Sequence, residues 1–197
     1  MDSNGSTGII GEPSMPRISP TTIENAPEAS QPILNNIQSG LGRVPNLLST
    51  FGKSPAAIMS YVMQKEALKA GSLGDQLGES VALAMASFTH CKYCASAHDA
   101  IGKMVGLSDE ERALNRKGEA SNPKAQAAIN LAKSIVESRG WSNDKAFEAA
   151  QAGGLNDSDI LEVLAITMFN LYTNYANHFL ETENDFPVVE LDEAMVV

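Results

Sequence analysis

Apolar side chains recur every three or four residues along most of this chain, and glycines or capping residues separate the runs. Ile33, Leu34, Ile37 and Leu41 show this spacing, and Gly42 follows them. No segment alternates apolar and polar residues with period two for more than a few positions, so no strands are expected. The sequence therefore predicts an all-α fold.

Helix starts are marked by residues that cap or open helices. A first helix is expected from about Ala29 and a short one from Pro45. Further starts are predicted at Ser54-Pro55, Asp75, the cysteines, Ser108 with Glu111 in a capping box, Asn122-Pro123, Ser142, and Asn156 or Asp157. The last helix is expected to run to about Glu183.

The length of 197 residues suits one well-buried domain and is short for two. Residues 1–14 are rich in Gly and Ser and lack periodicity, so we expect a disordered leader or residues added for expression, with Met15 as the natural start. Residues 15–197 are then expected to form a single helical domain.

The sequence of one predicted helix resembles that of another helix 83 residues further along the chain, so that position 94 aligns with position 177. The shift aligns Cys91 with Asn174 and Cys94 with Asn177. A decayed internal helical repeat, in which only one copy carries thiols, explains this similarity. A chance match between two amphipathic helices explains it as well.

The net charge of −10 and the absence of a basic run argue against a nucleic-acid or anionic-membrane partner. No apolar run approaches the roughly 18 residues that a membrane span requires, and no export signal is recognisable. We therefore expect a cytoplasmic protein. Cys91 and Cys94 are too close to staple a fold, because a bridge between them closes almost no loop. Their use is expected to be redox chemistry or metal binding.

On a helix, Cys91, Cys94 and His98 would share one stripe, because they stand at positions i, i+3 and i+7. The N-terminus of a helix stabilises a thiolate, and the three-residue spacing permits a disulfide. His98 is placed to move protons. If the chain reverses near Thr89, two antiparallel helices bring Glu79 level with His98, and a relay from carboxylate to imidazole to thiol becomes possible.

Several alternatives remain for these residues. The two cysteines could be plain buried side chains, or they could bind zinc together with His98 and with Glu79 or His178. His90 is expected in a turn. Asn174, Asn177 and His178 could line the site or form a polar helix face.

The pattern of Glu79, Cys91, Cys94 and His98 resembles the motif of the alkylhydroperoxidase D-like (AhpD-like) branch of the carboxymuconolactone decarboxylase family. The resemblance extends through GRVPNLLSTFGKSPA, GLSDEE and NYANHFLETENDFP, and so covers most of the chain from Met15 to Pro187. One position departs from it, because Tyr93 stands where alkylhydroperoxidase D proper has a histidine between the cysteines.

The resemblance implies an AhpD-like helical fold, a homo-oligomer (trimer or hexamer), and a thiol peroxidase or disulfide reductase without a bound organic cofactor. By this similarity Cys94 forms the sulfenic acid, Cys91 resolves it, and Glu79 and His98 form the proton relay. The implied substrate is a hydroperoxide, and the implied electron donor is an external thiol or a lipoyl or thioredoxin-like partner. A decarboxylase-type lyase and a non-enzymatic redox or metal-binding protein are the alternatives.

Overall fold

The computed structural model describes residues 15–141 and 144–191, and all regular secondary structure in these two ranges is α-helical. The helices are α1 (Gln31–Leu41), α2 (Asn46–Phe51), α3 (Pro55–Lys69), α4 (Asp75–Phe88), α5 (Lys92–Met104), α6 (Asp109–Arg116), α7 (Pro123–Glu137), α8 (Asp144–Ala152) and α9 (Asp157–Leu180). The all-α prediction is confirmed. No helix in the described ranges is long and apolar enough to cross a membrane. The predicted leader and the predicted cap at Ser142 lie outside the described residues.

Three of the predicted caps form as their sequences indicate. The Ser54 side chain accepts a hydrogen bond from the Ala57 N–H, and that of Asn122 accepts hydrogen bonds from two N–H groups in the first turn of α7. Asn156 and Asp159 form a complete capping box at the start of α9. These local bonds satisfy N–H groups that have no partner within their own helix.

Other predicted boundaries are wrong by a few residues. Gly74 occupies the N-cap of α4, so Asp75 is the first helical residue and not the cap. Helix α1 begins two residues after Ala29 and α9 ends at Leu180, where Glu181 turns into the left-handed region. The Ser108 side chain caps α6, but the Glu111 carboxylate accepts hydrogen bonds from Ser121 instead of closing a capping box.

Helix α4 is the central element, since every residue from Ser80 to Phe88 is buried. One apolar cluster joins α4 to α7, α8 and α9. A second cluster joins α1, α2, α3 and α5 to the end of α9 and contains both cysteines. The thiol pair therefore lies between the central helix and the N-terminal helices.

The turn between α4 and α5 reverses the chain within three residues. The Thr89 hydroxyl donates to the Met85 carbonyl oxygen, and His90 adopts a left-handed conformation with φ of 54°. The N–H of Cys91 donates to the carbonyl oxygen of Ala86. The predicted reversal near Thr89 and the turn position of His90 are confirmed, and α4 and α5 pack along each other.

Candidate active site

The two cysteines form a disulfide at the start of α5, with their Cα atoms 5.2 Å apart. Cys91 is extended and acts as the N-cap of α5, and its Sγ accepts a hydrogen bond from the Cys94 N–H at 3.2 Å. The prediction that both cysteines lie on one helical stripe is therefore wrong for Cys91, which precedes the helix. Only Cys94 and His98, one turn apart, share a helix face.

The side chains of Glu79 and His98 meet across the α4–α5 pair. Oε2 of Glu79 lies 2.7 Å from Nδ1 of His98. The exposed fractions of these side chains are 19% and 17%, so water screens the contact only in part. The predicted pairing is confirmed, while the catalytic roles of the two residues stay a prediction.

An apolar cavity of about 350 Å³, called the thiol cavity below, opens against Cys94 and His98. Most of its wall comes from aliphatic and aromatic side chains of α2, α5 and α9, among them Leu47, Leu48, Ala97, Ile101, Met104 and Phe169. Cys91 is not part of the wall, although it is bonded to Cys94. A molecule in this cavity would therefore reach the Cys94 sulfur first.

A second cavity of about 300 Å³ lies on the other side of His98 and contains Glu79. His98, Tyr61 and Lys65 line both cavities. Burial raises the pKa of Tyr61 above its ordinary value, against the opposing effect of Lys65. The Glu79–His98 pair thus lies between the thiol cavity and a more polar cavity.

Asn177 is a site residue whose role the sequence left undecided. Its Nδ2 donates to Sγ of Cys94 at 3.3 Å, and its side chain lines the thiol cavity. Asn174 lies deeper and donates to Thr89 and to the Met85 carbonyl oxygen, so it supports the turn and not the sulfur. Alignment with Cys94 at the shift of 83 residues was the signal that singled out Asn177.

Tyr93, at the position where the resemblance implies a histidine, joins α5 to α2. Its hydroxyl accepts a hydrogen bond from the Leu47 N–H at 3.2 Å. Burial raises the pKa of Tyr93 far above the ordinary value for a phenol. Tyr93 therefore stays protonated near neutral pH and does not act as a base. Its hydrogen bond holds α5 against α2.

The segment 181–191 lies along α5 and closes one side of the site. Ser96 Oγ accepts hydrogen bonds from Asn184 Nδ2 and from the Val189 N–H, each at 3.1 Å. The Phe186 ring packs edge-on against Tyr93 with centroids 5.5 Å apart. Cys91 is 1% and Cys94 is 3% exposed, and Cys94 is reached through the thiol cavity that it lines.

Two histidines lie outside the site. His178 is exposed on α9, and His90 stays in the α4–α5 turn. In the described part of the chain, no three side chains from His, Cys, Asp and Glu converge in a way that could hold a metal ion. The zinc arrangement with His178 as a ligand is not formed.

The model of the carboxymuconolactone decarboxylase family matches residues 55–134. No curated protein sequence matches the chain significantly.

One similar solved structure is described as an alkylhydroperoxidase AhpD core and belongs to an uncharacterized peroxidase-related protein from Ralstonia eutropha JMP134. The two sequences are 22% identical, the TM-score is 0.79, and the match covers 87% of this chain and 93% of that chain. An uncharacterized peroxidase-related protein from Silicibacter sp. TM1040 has 19% identity, a TM-score of 0.77 and coverage of 89% and 95%. A cysteine-to-alanine variant of the debrominase Bmp8 in complex with 2,3,4-tribromopyrrole has 19% identity, a TM-score of 0.73 and coverage of 85% and 91%.

Each of these likenesses is below 25% identity and shows the shared fold. The segment that matches the family model contains Glu79, Cys91, Cys94 and His98. Residues 55–134 are therefore similar to the carboxymuconolactone decarboxylase family, and the helical fold around them is that of the AhpD core.

Proposed function

We propose that this protein is a dithiol peroxidase that reduces organic hydroperoxides through Cys94 and Cys91. The observation that carries the proposal is a redox-capable sulfur pair at the wall of an apolar cavity, beside an imidazole that is hydrogen-bonded to a carboxylate. Solved structures similar to this chain include a peroxidase-related protein and a debrominase. In this proposal the Cys91–Cys94 disulfide is the oxidised form of the cycle.

In the reduced protein, His98 takes the proton of the Cys94 thiol, and Glu79 stabilises the imidazolium that forms. Cys94 lies in the first turn of α5, where the positive end of the helix dipole favours a thiolate. Asn177 Nδ2 adds a donor on the sulfur from α9. These groups supply the nucleophile that peroxide reduction needs.

The Cys94 thiolate attacks the terminal oxygen of the hydroperoxide. The S–O bond forms, the O–O bond breaks, and the alkoxide leaves as an alcohol with the proton from His98. The sulfur is oxidised to a sulfenic acid and the peroxide is reduced by two electrons. Cys91 then attacks the Cys94 sulfur, the hydroxide departs as water with the Cys91 proton, and the disulfide forms.

An external dithiol restores the two thiols by disulfide exchange and is itself oxidised to a disulfide. The sulfurs are nearly inaccessible from the surface, so a slender donor such as a lipoyl arm enters the cavity more readily than the folded surface of a thioredoxin-like protein. We therefore expect dihydrolipoamide to regenerate the enzyme faster than a reduced thioredoxin does.

We also propose that the protein is a homo-oligomer, as a trimer or hexamer. Exposed apolar side chains follow one face of α9 at spacings of three and four residues: Leu161, Leu164, Met168, Tyr172, Tyr175 and Phe179. A continuous apolar stripe of this kind is typical of a face that another helix covers. Mass measurement in solution tests this assembly.

The test of the peroxidase proposal follows cumene hydroperoxide consumption with dihydrolipoamide as reductant. Cys94→Ser should abolish turnover, and Cys91→Ser should accumulate a sulfenic acid on Cys94 that a sulfenate-specific label and mass spectrometry detect. His178→Gln is the matched control, since His178 is exposed and outside the site. Undiminished turnover by Cys94→Ser would refute the proposal. A decarboxylase-type lyase would tolerate both cysteine substitutions and depend on a histidine.

Reductive dehalogenation is a second candidate, favoured by the structural similarity to the debrominase Bmp8 and by the aromatic rings of Tyr61, Phe169 and Phe186 in the cavity wall. The balance is similar: a carbon–bromine bond becomes a carbon–hydrogen bond, bromide leaves, and the two thiols become the disulfide. Bromide release from a brominated pyrrole by the reduced protein distinguishes this reaction from peroxide reduction.

A further inference from the structure

The charge around the thiol cavity differs from that of the chain as a whole. The sequence has 24 acidic and 14 basic residues. The cavity that holds Cys94 is nevertheless lined by Arg43, Lys65 and His98, and by no Asp or Glu. An excess of cationic groups at the wall of a low-dielectric cavity attracts anions and repels cations.

The three basic side chains differ in whether an acidic partner compensates them. Arg43 forms an ion pair with Asp185 and lies over the Phe186 ring, 4.5 Å from its centroid. His98 is bonded to Glu79. Lys65 contacts the Tyr61 ring, with Nζ 6.0 Å from the centroid, and forms no ion pair with a carboxylate in the described residues. Lys65 is therefore the cation at this cavity whose charge is not compensated.

The position of Lys65 fits a role at the entrance. It lies on α3 and is exposed to solvent. Its side chain borders the thiol cavity and the neighbouring cavity that contains Glu79. A lysine stem is long and flexible, so the ammonium can meet an anion at the mouth while the stem packs on apolar surface.

We propose that the substrate is an apolar organic hydroperoxide that also carries a carboxylate, and that Lys65 binds this carboxylate. The inference rests on the proposed peroxidase function and assigns its substrate class. The apolar body occupies the cavity of about 350 Å³ with the O–O bond toward Cys94. The carboxylate takes no part in the redox step, in which the O–O bond breaks and the disulfide forms as above.

The test compares cumene hydroperoxide bearing a para-carboxylate with its methyl ester, which has the same reacting group and no charge. Wild-type protein should show a kcat/KM about three- to tenfold higher for the acid than for the ester, the range expected for a partly screened ion pair. Lys65→Met should remove this preference by lowering kcat/KM for the acid, while kcat/KM for the ester stays the same. Lys65→Arg should retain it.

Lys69→Met is the matched control, because Lys69 lies one turn further along α3 and borders the neighbouring cavity but not the thiol cavity. It should leave the preference intact. Equal rates for acid and ester in the wild type, or equal slowing of both by Lys65→Met, would overturn the inference while turnover itself supports the peroxidase function.

A binding measurement decides the inference even if no hydroperoxide is consumed. The matching tertiary alcohol acid and its methyl ester undergo no redox reaction, and calorimetry gives their affinities for the reduced protein. We expect Lys65→Met to lower the affinity for the acid about three- to tenfold and to leave the affinity for the ester unchanged. Unchanged affinity for the acid would contradict the inference. Absent turnover with normal binding would instead refute the peroxidase function alone.

Discussion

The hydrogen bond between Glu79 and His98 offers a sharp test of the proposed relay. Glu79→Gln preserves the size of the side chain and its capacity to hydrogen-bond His98, but it removes the negative charge. Because the pair lies 2.7 Å apart and both side chains are less than one-fifth exposed, the charge acts on the imidazole with little screening.

The magnitude follows from the difference between a charge-assisted and a neutral hydrogen bond. Bonds to charged groups contribute about 1.5–3 kcal/mol and neutral ones about 0.5–1.5 kcal/mol. The loss of about 1–2 kcal/mol is felt when His98 becomes cationic in the transition state, which corresponds to roughly a 5- to 30-fold fall in rate. We expect this fall in kcat/KM for cumene hydroperoxide.

The assay is stopped-flow oxidation of the reduced protein by cumene hydroperoxide, measured for Glu79→Gln, His98→Gln and the double variant. If Glu79 acts only through His98, the double variant should be no slower than His98→Gln alone. Circular dichroism melting of each variant shows whether the fold is retained.

Two results would refute this reasoning. A fall of less than twofold in Glu79→Gln would show that the carboxylate charge does not assist the imidazole. Multiplicative losses in the double variant would show that the two residues act independently. Ser80→Ala serves as a control, because Ser80 is next to Glu79 on α4 but donates to the Gln76 carbonyl oxygen within the helix.

Two further predictions concern stability. The pKa of Asp159 is lowered, first by its hydrogen bond from the Asn156 N–H and also by Lys124. Asp159→Asn should therefore cost about 1–2 kcal/mol of unfolding free energy at neutral pH. Urea titrations should show this cost above the unfolded pKa of about 3.9 and its loss as pH falls through the folded pKa, whereas a pH-independent cost would contradict the cause. A Cβ on Gly153 would overlap the Ala127 side chain, so Gly153→Ala should lose about 1–3 kcal/mol, whereas Gly40→Ala, which meets nothing within 4 Å, should gain roughly 0.5–1 kcal/mol in the same titrations.

Much of this protein could be predicted from the sequence because the relevant interactions are local. Helix type and several starts follow from apolar spacing and from caps such as Ser54 and Asn122, which bond to N–H groups two or three residues away. The meeting of Glu79 with His98 followed from one reversal near Thr89, since two antiparallel helices leave few choices of register. The boundaries predicted at Asp75 and near Glu183 were wrong: Gly74 and not Asp75 is the N-cap of α4, and α9 ends at Leu180, whose carbonyl oxygen accepts a hydrogen bond from the N–H of Arg17, far away in the sequence.

The environment of the sulfur was decided only by the tertiary structure. Asn177 and Cys94 are 83 residues apart in the sequence, and helical periodicity does not predict the packing of α9 on α5 that joins them. Nothing in the sequence distinguishes Lys65 from the other lysines. Only the packing of α3 against the site brings it to a cavity lined by no acidic residue. Sequence alone therefore singled out the groups to which we assign the proposed chemistry, while long-range packing determined the shape and charge of the space in front of them.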